Sequence, residues 1–167
     1  MKVVILAGGL GTRLSEETDI VPKPMVEIGG KPILWHIMKI YANFGFREFV
    51  IALGYKGDQI KRFIVDYSLL NSNLNVSLSD GSIKVVERPK EDWIIDLVDT
   101  GMSTETGGRI KRLADLVGSG TFMLTYGDGL SDINLANLLE FHRSHGKLAT
   151  ITSVRPRSRF GRLSFDG

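Results

Sequence analysis

A short apolar run from Val3 to Leu6 leads straight into Leu6-Ala7-Gly8-Gly9-Leu10-Gly11-Thr12-Arg13-Leu14, and Pro22-Lys23-Pro24-Met25 follows soon after. Closely spaced glycines let backbone N–H groups turn inward around an anion, because no Cβ blocks the approach. Arg13 and Lys23 add the positive charge that a triphosphate requires. The pattern is neither of the two commonest phosphate grips. A P-loop places a lysine and then serine or threonine after its glycines, and none stands here. A dinucleotide fingerprint has a third glycine where this chain has Leu14, and it opens a helix. Here the polar stretch Ser15 to Asp19 runs on to Pro22, which argues against a long helix packed on the strand. Taken alone, Lys23 reads as an exposed lysine in a proline turn. Joined to the glycine loop, it becomes the leading catalytic candidate.

Unbroken apolar runs recur at Val3–Ala7, Phe49–Leu53, Thr121–Thr125 and Ala149–Val154, as expected of strands covered on both faces. Helical patterns lie between them. Pro32 starts a helix running to about Phe44 and stopped by Gly45. Asp58–Leu70, Gly108–Val117 and Leu135–His145 repeat apolar residues at helical spacing, the last ended by Gly146. Asn75 to Asp99 reads as extended segments with a turn at Asp80-Gly81. The alternation predicts an α/β fold, a doubly wound, mainly parallel, Rossmann-like sheet with helices on both faces. Ligands of such sheets sit at the carboxyl ends of the strands, where the glycine loop and Gly127-Asp128 fall.

The 167 residues fit one domain, so residues 1–167 are taken as one. A formal net charge of +2 gives no reason to expect nucleic acid or a membrane as partner. Cysteine is absent, which excludes disulfides and thiolate metal sites and fits a cytoplasmic protein. Val3–Ala7 is too short for a signal segment or a membrane span. Near the end, Arg162 to Phe165 alternates like a strand, and Asp166-Gly167 is a hairpin turn signal. The sequence therefore reads as the N-terminal part of a longer chain, C-terminally truncated before a partner strand.

Leu6 to Leu14 followed by Pro-Lys-Pro resembles the signature of the sugar-1-phosphate nucleotidylyltransferases, the sugar-nucleotide pyrophosphorylases. Lys31 to Met38, Gly54 to Gly57, Leu97 to Gly101, Thr106 to Arg109 and Thr125 to Gly129 narrow the resemblance to its glucose-1-phosphate cytidylyltransferase branch. That resemblance implies a nucleotide-diphospho-sugar transferase fold and transfer of a cytidylyl group from CTP to glucose 1-phosphate. It implies Mg²⁺ as cofactor, a place in nucleotide-sugar biosynthesis, and a homo-oligomer, since members are commonly oligomeric. The alternatives are a pyrophosphorylase using UTP, dTTP or GTP, or a nucleotide-binding module without turnover.

The nucleophile of such a reaction is a phosphate oxygen already largely ionised at neutral pH, so no general base is needed. The chemistry asks instead for cations and hydrogen-bond donors. By the resemblance, Leu6, Ala7, Gly8, Gly9, Gly11 and Thr12 line the triphosphate. Arg13 holds the departing β- and γ-phosphates, and Lys23 neutralises charge at the α-phosphate. Thr106, Gly108 and Arg109 belong to a nucleotide-selecting loop whose glycines open a helix. Gly127 and Gly161 face the sugar. Asp128 follows a buried strand directly and is the expected metal carboxylate, its second partner lying beyond Gly167. Asp132 is an alternative, although Ser131-Asp132 with Asn134 also reads as a helix start. His142 and His145 lack a third ligand and read as a solvated helix face. His36 is expected to be a satisfied core residue, and Trp35 and Trp93 to pack. Arg155, Arg157, Arg159 and Arg162 read as a loop near anionic substrates or an oligomer contact.

Overall fold

The computed structural model describes residues 1–9 and 21–154. The chain divides into two compact units, Met1–Asp132 and a second beginning at Ile133. In the first unit, β1 (Lys2–Ala7) is followed by a single 3-10 turn at Lys23–Met25 and a small ladder of β2 (Glu27–Ile28) with β3 (Lys31–Pro32). Helix α1 (Ile33–Asn43), β4 (Glu48–Leu53) and α2 (Gly57–Leu70) come next. A two-stranded hairpin of β5 (Asn73–Val76) and β6 (Ile83–Glu87) precedes β7 (Ile94–Asp99). Two short helices, α3 (Thr106–Arg112) and α4 (Ala114–Val117), lead to β8 (Met123–Tyr126). The second unit carries α5 (Leu135–His145).

Four strands form one parallel sheet in the order β7-β4-β1-β8. Val3, Val4, Ile5 and the run Val50 to Leu53 are almost fully buried, which is why these strands read as unbroken apolar runs. One face, with Val4, Leu6, Val50 and Ala52, packs on Leu113 and the apolar side chains of α3 and α4. Ile95, paired with Phe49 on the other face, shares a cavity wall with Met38 of α1 and Phe63 of α2. Helices therefore cover both faces. Trp35 and Trp93 pack there too, with ring centroids 6.2 Å apart. Among the described residues no helix is long and apolar enough to cross a membrane.

The expected helices form with small shifts. Pro32 caps α1 rather than opening it, and Gly45 follows its end at φ +88°. Gly108–Val117 is two helices instead of one, beginning at Thr106 and breaking at Leu113. The expected strand at Ala149–Val154 does not form. Ile151 is 88% and Val154 73% exposed, and no described strand pairs with them. The fourth sheet position belongs instead to β7, whose apolar run is interrupted by Asp96 because it lies half-exposed at the sheet edge.

Candidate functional site

The chain runs from β1 to β4 on one side and reaches β8 on the other, so the carboxyl ends of β1 and β8 flank a topological switch point. Lys23 and Asp128 meet there, with Nζ 3.9 Å from Oδ2. Three local features bring them together. Gly127 N–H donates to the Leu6 carbonyl (2.9 Å), fixing the exit of β8 against β1. Pro24 is buried, and its Cγ lies 3.1 Å from where a Cβ on Gly127 would stand. The turn holding Lys23 is closed by the Met25 N–H donating to the Pro22 carbonyl (2.7 Å). The lysine and aspartate side chains remain 23% and 43% exposed, so both are open to a ligand. Gly127 is itself buried, and its close packing explains the absence of a side chain there.

The second part of the site is built around Arg109, which is 5% exposed. Its Nη1 donates to the carbonyls of Leu53 (2.9 Å) and Gly101 (2.8 Å) and to Thr100 Oγ1 (2.7 Å). Its Nη2 donates to the carbonyls of Gly8 (2.8 Å) and Met102 (3.2 Å). One guanidinium thus joins the carboxyl ends of β1, β4 and β7, and all its terminal N–H groups are engaged. Burial pushes its pKa below the ordinary value. Glu105 opposes that, Arg112 adds to it, and Asp99 opposes it again. Thr100, fully buried, completes the cluster by donating to the Leu53 carbonyl (2.7 Å).

This arrangement gives Gly8 a reason that the sequence does not reveal. A Cβ on Gly8 would stand 2.3 Å from Arg109 Nη1, and one on Gly54 2.6 Å from the same atom. Gly9, by contrast, is exposed and has no described residue within 4 Å of its Cβ position. Leu6 and Ala7 are buried in β1, Thr106 is exposed at the start of α3, and Gly108 packs against Thr104. Gly11, Thr12, Arg13, Gly161 and the arginines from Arg155 onward lie outside the described residues. Thr100 and Arg112, which donates to Thr104, had no assigned role. Arg112 stands one turn beyond Arg109 in Arg109-Ile110-Lys111-Arg112, a spacing that was visible without its meaning.

In the second unit, Asn134 caps α5 by accepting from the Asn137 N–H (3.0 Å), so this segment is a helix start. His142 Nδ1 and His145 Nε2 both contact Thr150 Oγ1, at 2.9 and 2.7 Å. His36 is half-buried rather than core, and its Nε2–H donates to the Ile28 carbonyl (2.8 Å).

A family model for the nucleotidyl transferases matches residues 2–167. The chain belongs to that family. Its relatives include the glucose-1-phosphate cytidylyltransferase of Salmonella typhimurium, 52% identical over 98% of this chain and 64% of that protein. A Bacillus subtilis protein described as "Probable glucose-1-phosphate cytidylyltransferase" is 48% identical over 99% of this chain and 65% of its own length. The chain thus spans a little under two thirds of the length of these two relatives. Among solved structures, HddC from Yersinia pseudotuberculosis complexed with GMP-PN is 32% identical, with a TM-score of 0.57 over 84% of this chain and 53% of that one. A UDP-glucose pyrophosphorylase complexed with UDP-glucose shares the fold, with a TM-score of 0.61 over 86% of this chain and 53% of that one at 18% identity. The nucleotidyl transferase fold is therefore the frame for the two clusters, an exposed lysine–carboxylate pair and a buried arginine brace.

Proposed function

We propose that this protein transfers a cytidylyl group from CTP to glucose 1-phosphate, forming CDP-glucose and pyrophosphate. A phosphate oxygen of the sugar attacks the α-phosphorus of CTP. That oxygen–phosphorus bond forms as the bond to the bridging oxygen of the leaving pyrophosphate breaks. Lys23 neutralises charge on the α-phosphate as attack proceeds. Arg13 holds the departing phosphates, while the glycine loop, with Gly8, Gly9, Gly11 and Thr12, lines the triphosphate. In this reading Gly127 and Gly161 serve the sugar. The observation that carries this reading is the Lys23–Asp128 pair at the switch point between β1 and β8.

Asp128 suits Mg²⁺ as a single, exposed carboxylate at a strand end. No cluster of three or more His, Asp or Glu residues forms among those described. Mg²⁺ takes one or two carboxylates and completes its shell with water and substrate phosphates. Bound there, Mg²⁺ would supply charge neutralisation for the phosphates. GTP is the second reading, favoured by the likeness to the GMP-PN complex; the higher identity to cytidylyltransferases favours CTP.

The test is production of CDP-glucose and pyrophosphate from CTP, glucose 1-phosphate and Mg²⁺. Lys23→Ala is expected to lower the rate by about a thousandfold, with the thermal unfolding midpoint nearly unchanged. Near-normal turnover in that variant would remove Lys23 from its assigned role.

A further inference from the structure

Arg112 and Arg109 divide one loop between them. Arg109 takes the carbonyls of Gly101 and Met102. Arg112 donates from Nη1 to the Thr100 carbonyl and to Thr104 Oγ1, the latter at 2.6 Å. From Thr100 to Thr104, every residue but Ser103 is therefore bonded to an arginine of α3. The fit leaves no slack. Gly101 has φ +87°, and a Cβ there would stand 2.5 Å from Arg112 Nη1 and 2.8 Å from Thr104 Oγ1. A Cβ on Gly108 would stand 2.8 Å from Thr104 Cγ2. Both glycines make room for Thr104 to sit between the loop and the helix.

Through Arg109 the same loop is tied to Gly8, at the entrance of the glycine loop. It therefore adjoins the place where the nucleotide is proposed to lie. A cytosine ring offers an amino donor where uracil offers a carbonyl acceptor, so telling them apart depends on the polarity of a few fixed hydrogen bonds. Such discrimination survives only when the supporting residues hold those groups to within about 0.5 Å.

We propose that Arg112 is a positioning residue for base choice. Without touching the nucleotide, it fixes Thr104 and the bend at Thr100-Gly101, so that the loop presents one donor–acceptor pattern. The proposal rests on the reading of this loop and α3 as nucleotide-selecting. Arg112 makes both bonds from the one nitrogen Nη1, and a lysine ammonium, with several donors on one nitrogen but a shorter reach, reproduces them only in part.

The experiment is calorimetric titration of wild-type protein, Arg112→Gln and Arg112→Lys with CTP, UTP and inorganic tripolyphosphate, each with Mg²⁺. Hydrogen exchange over residues 100–105 is followed alongside. In Arg112→Gln the preference for CTP over UTP is expected to fall about tenfold or more, with tripolyphosphate affinity kept within about twofold. Exchange over 100–105 should quicken, and Arg112→Lys should recover part of the preference. Thr104→Val, which removes the held hydroxyl at nearly constant volume, should reproduce the loss. An unchanged CTP-to-UTP ratio in folded Arg112→Gln overturns the proposal, as does an equal loss for all three probes. Unchanged exchange over 100–105 overturns it too. If the wild-type protein prefers another nucleotide, the cytidylyl reading fails. The clamp is then judged by the same ratio for the nucleotide preferred.

Discussion

Gly8 and Gly9 are neighbours with opposite constraints. The guanidinium that fills the space beside Gly8 is buried and bonded on every terminal nitrogen, so it has nowhere to move. Gly8→Ala is expected to destabilise the protein by about 2 kcal/mol. Gly9→Ala should stay within about 0.5 kcal/mol. Chemical denaturation of the two variants measures both, and equal costs would mean that Arg109 yields more easily than its bonding implies. Arg109→Ala takes from the carbonyls of Gly101 and Met102 their arginine donor, while Leu53 keeps Thr100 and Gly8 keeps the Tyr55 N–H, at a cost of about 3 kcal/mol. Loss of nucleotide affinity at unchanged stability would instead make Arg109 a ligand contact. The brace was not legible in the sequence. Its acceptors are backbone carbonyls from three strand ends, which no residue pattern marks, and it becomes visible only once β1, β4 and β7 lie side by side.

Among the elements, the β5–β6 hairpin contains a pH-sensitive local device. Asp80 accepts from the Ser82 N–H at 3.0 Å, and hydrogen bonds from Ser77 and then Ser82 lower its pKa from 3.8 to about 2. A carboxylate whose folded-state pKa is depressed stabilises the fold above its unfolded value, and that contribution is lost as pH falls through the folded one. The turn should therefore keep its protection at pH 4 and lose it towards pH 2. Amide protection at Ser82 and the Asp80 carboxyl resonance, followed by NMR, measure this; titration at the ordinary 3.8 would contradict it. The same turn was plain in the sequence because Asp80-Gly81 carries its own signal, as Gly146 does for the end of α5. Ala149–Val154 misled because apolar runs report burial potential, while a strand also needs a partner for its backbone. β7 was under-read for the converse reason. Its partner β4 supplies hydrogen bonds that Asp96 and the exposed Ile94 do not advertise.

Across the first unit, the site is assembled by topology. The order β7-β4-β1-β8 puts the Arg109-braced ends of β7 and β4 on one side of β1 and Asp128 on the other. Lys23 reaches this crevice from the turn after β1, whose Pro24 packs on Gly127. A nucleotide held there would lie along the carboxyl ends of the sheet, its phosphates near Lys23 and its base near the Thr100–Glu105 loop. We propose that this crevice is a nucleotide grip selective for CTP. It is tested most directly by calorimetric titration of the folded protein with CTP, UTP, dTTP, GTP and ATP in the presence of Mg²⁺. A clear preference for CTP is predicted. Equal affinities, preference for another nucleotide, or no binding at all would contradict it.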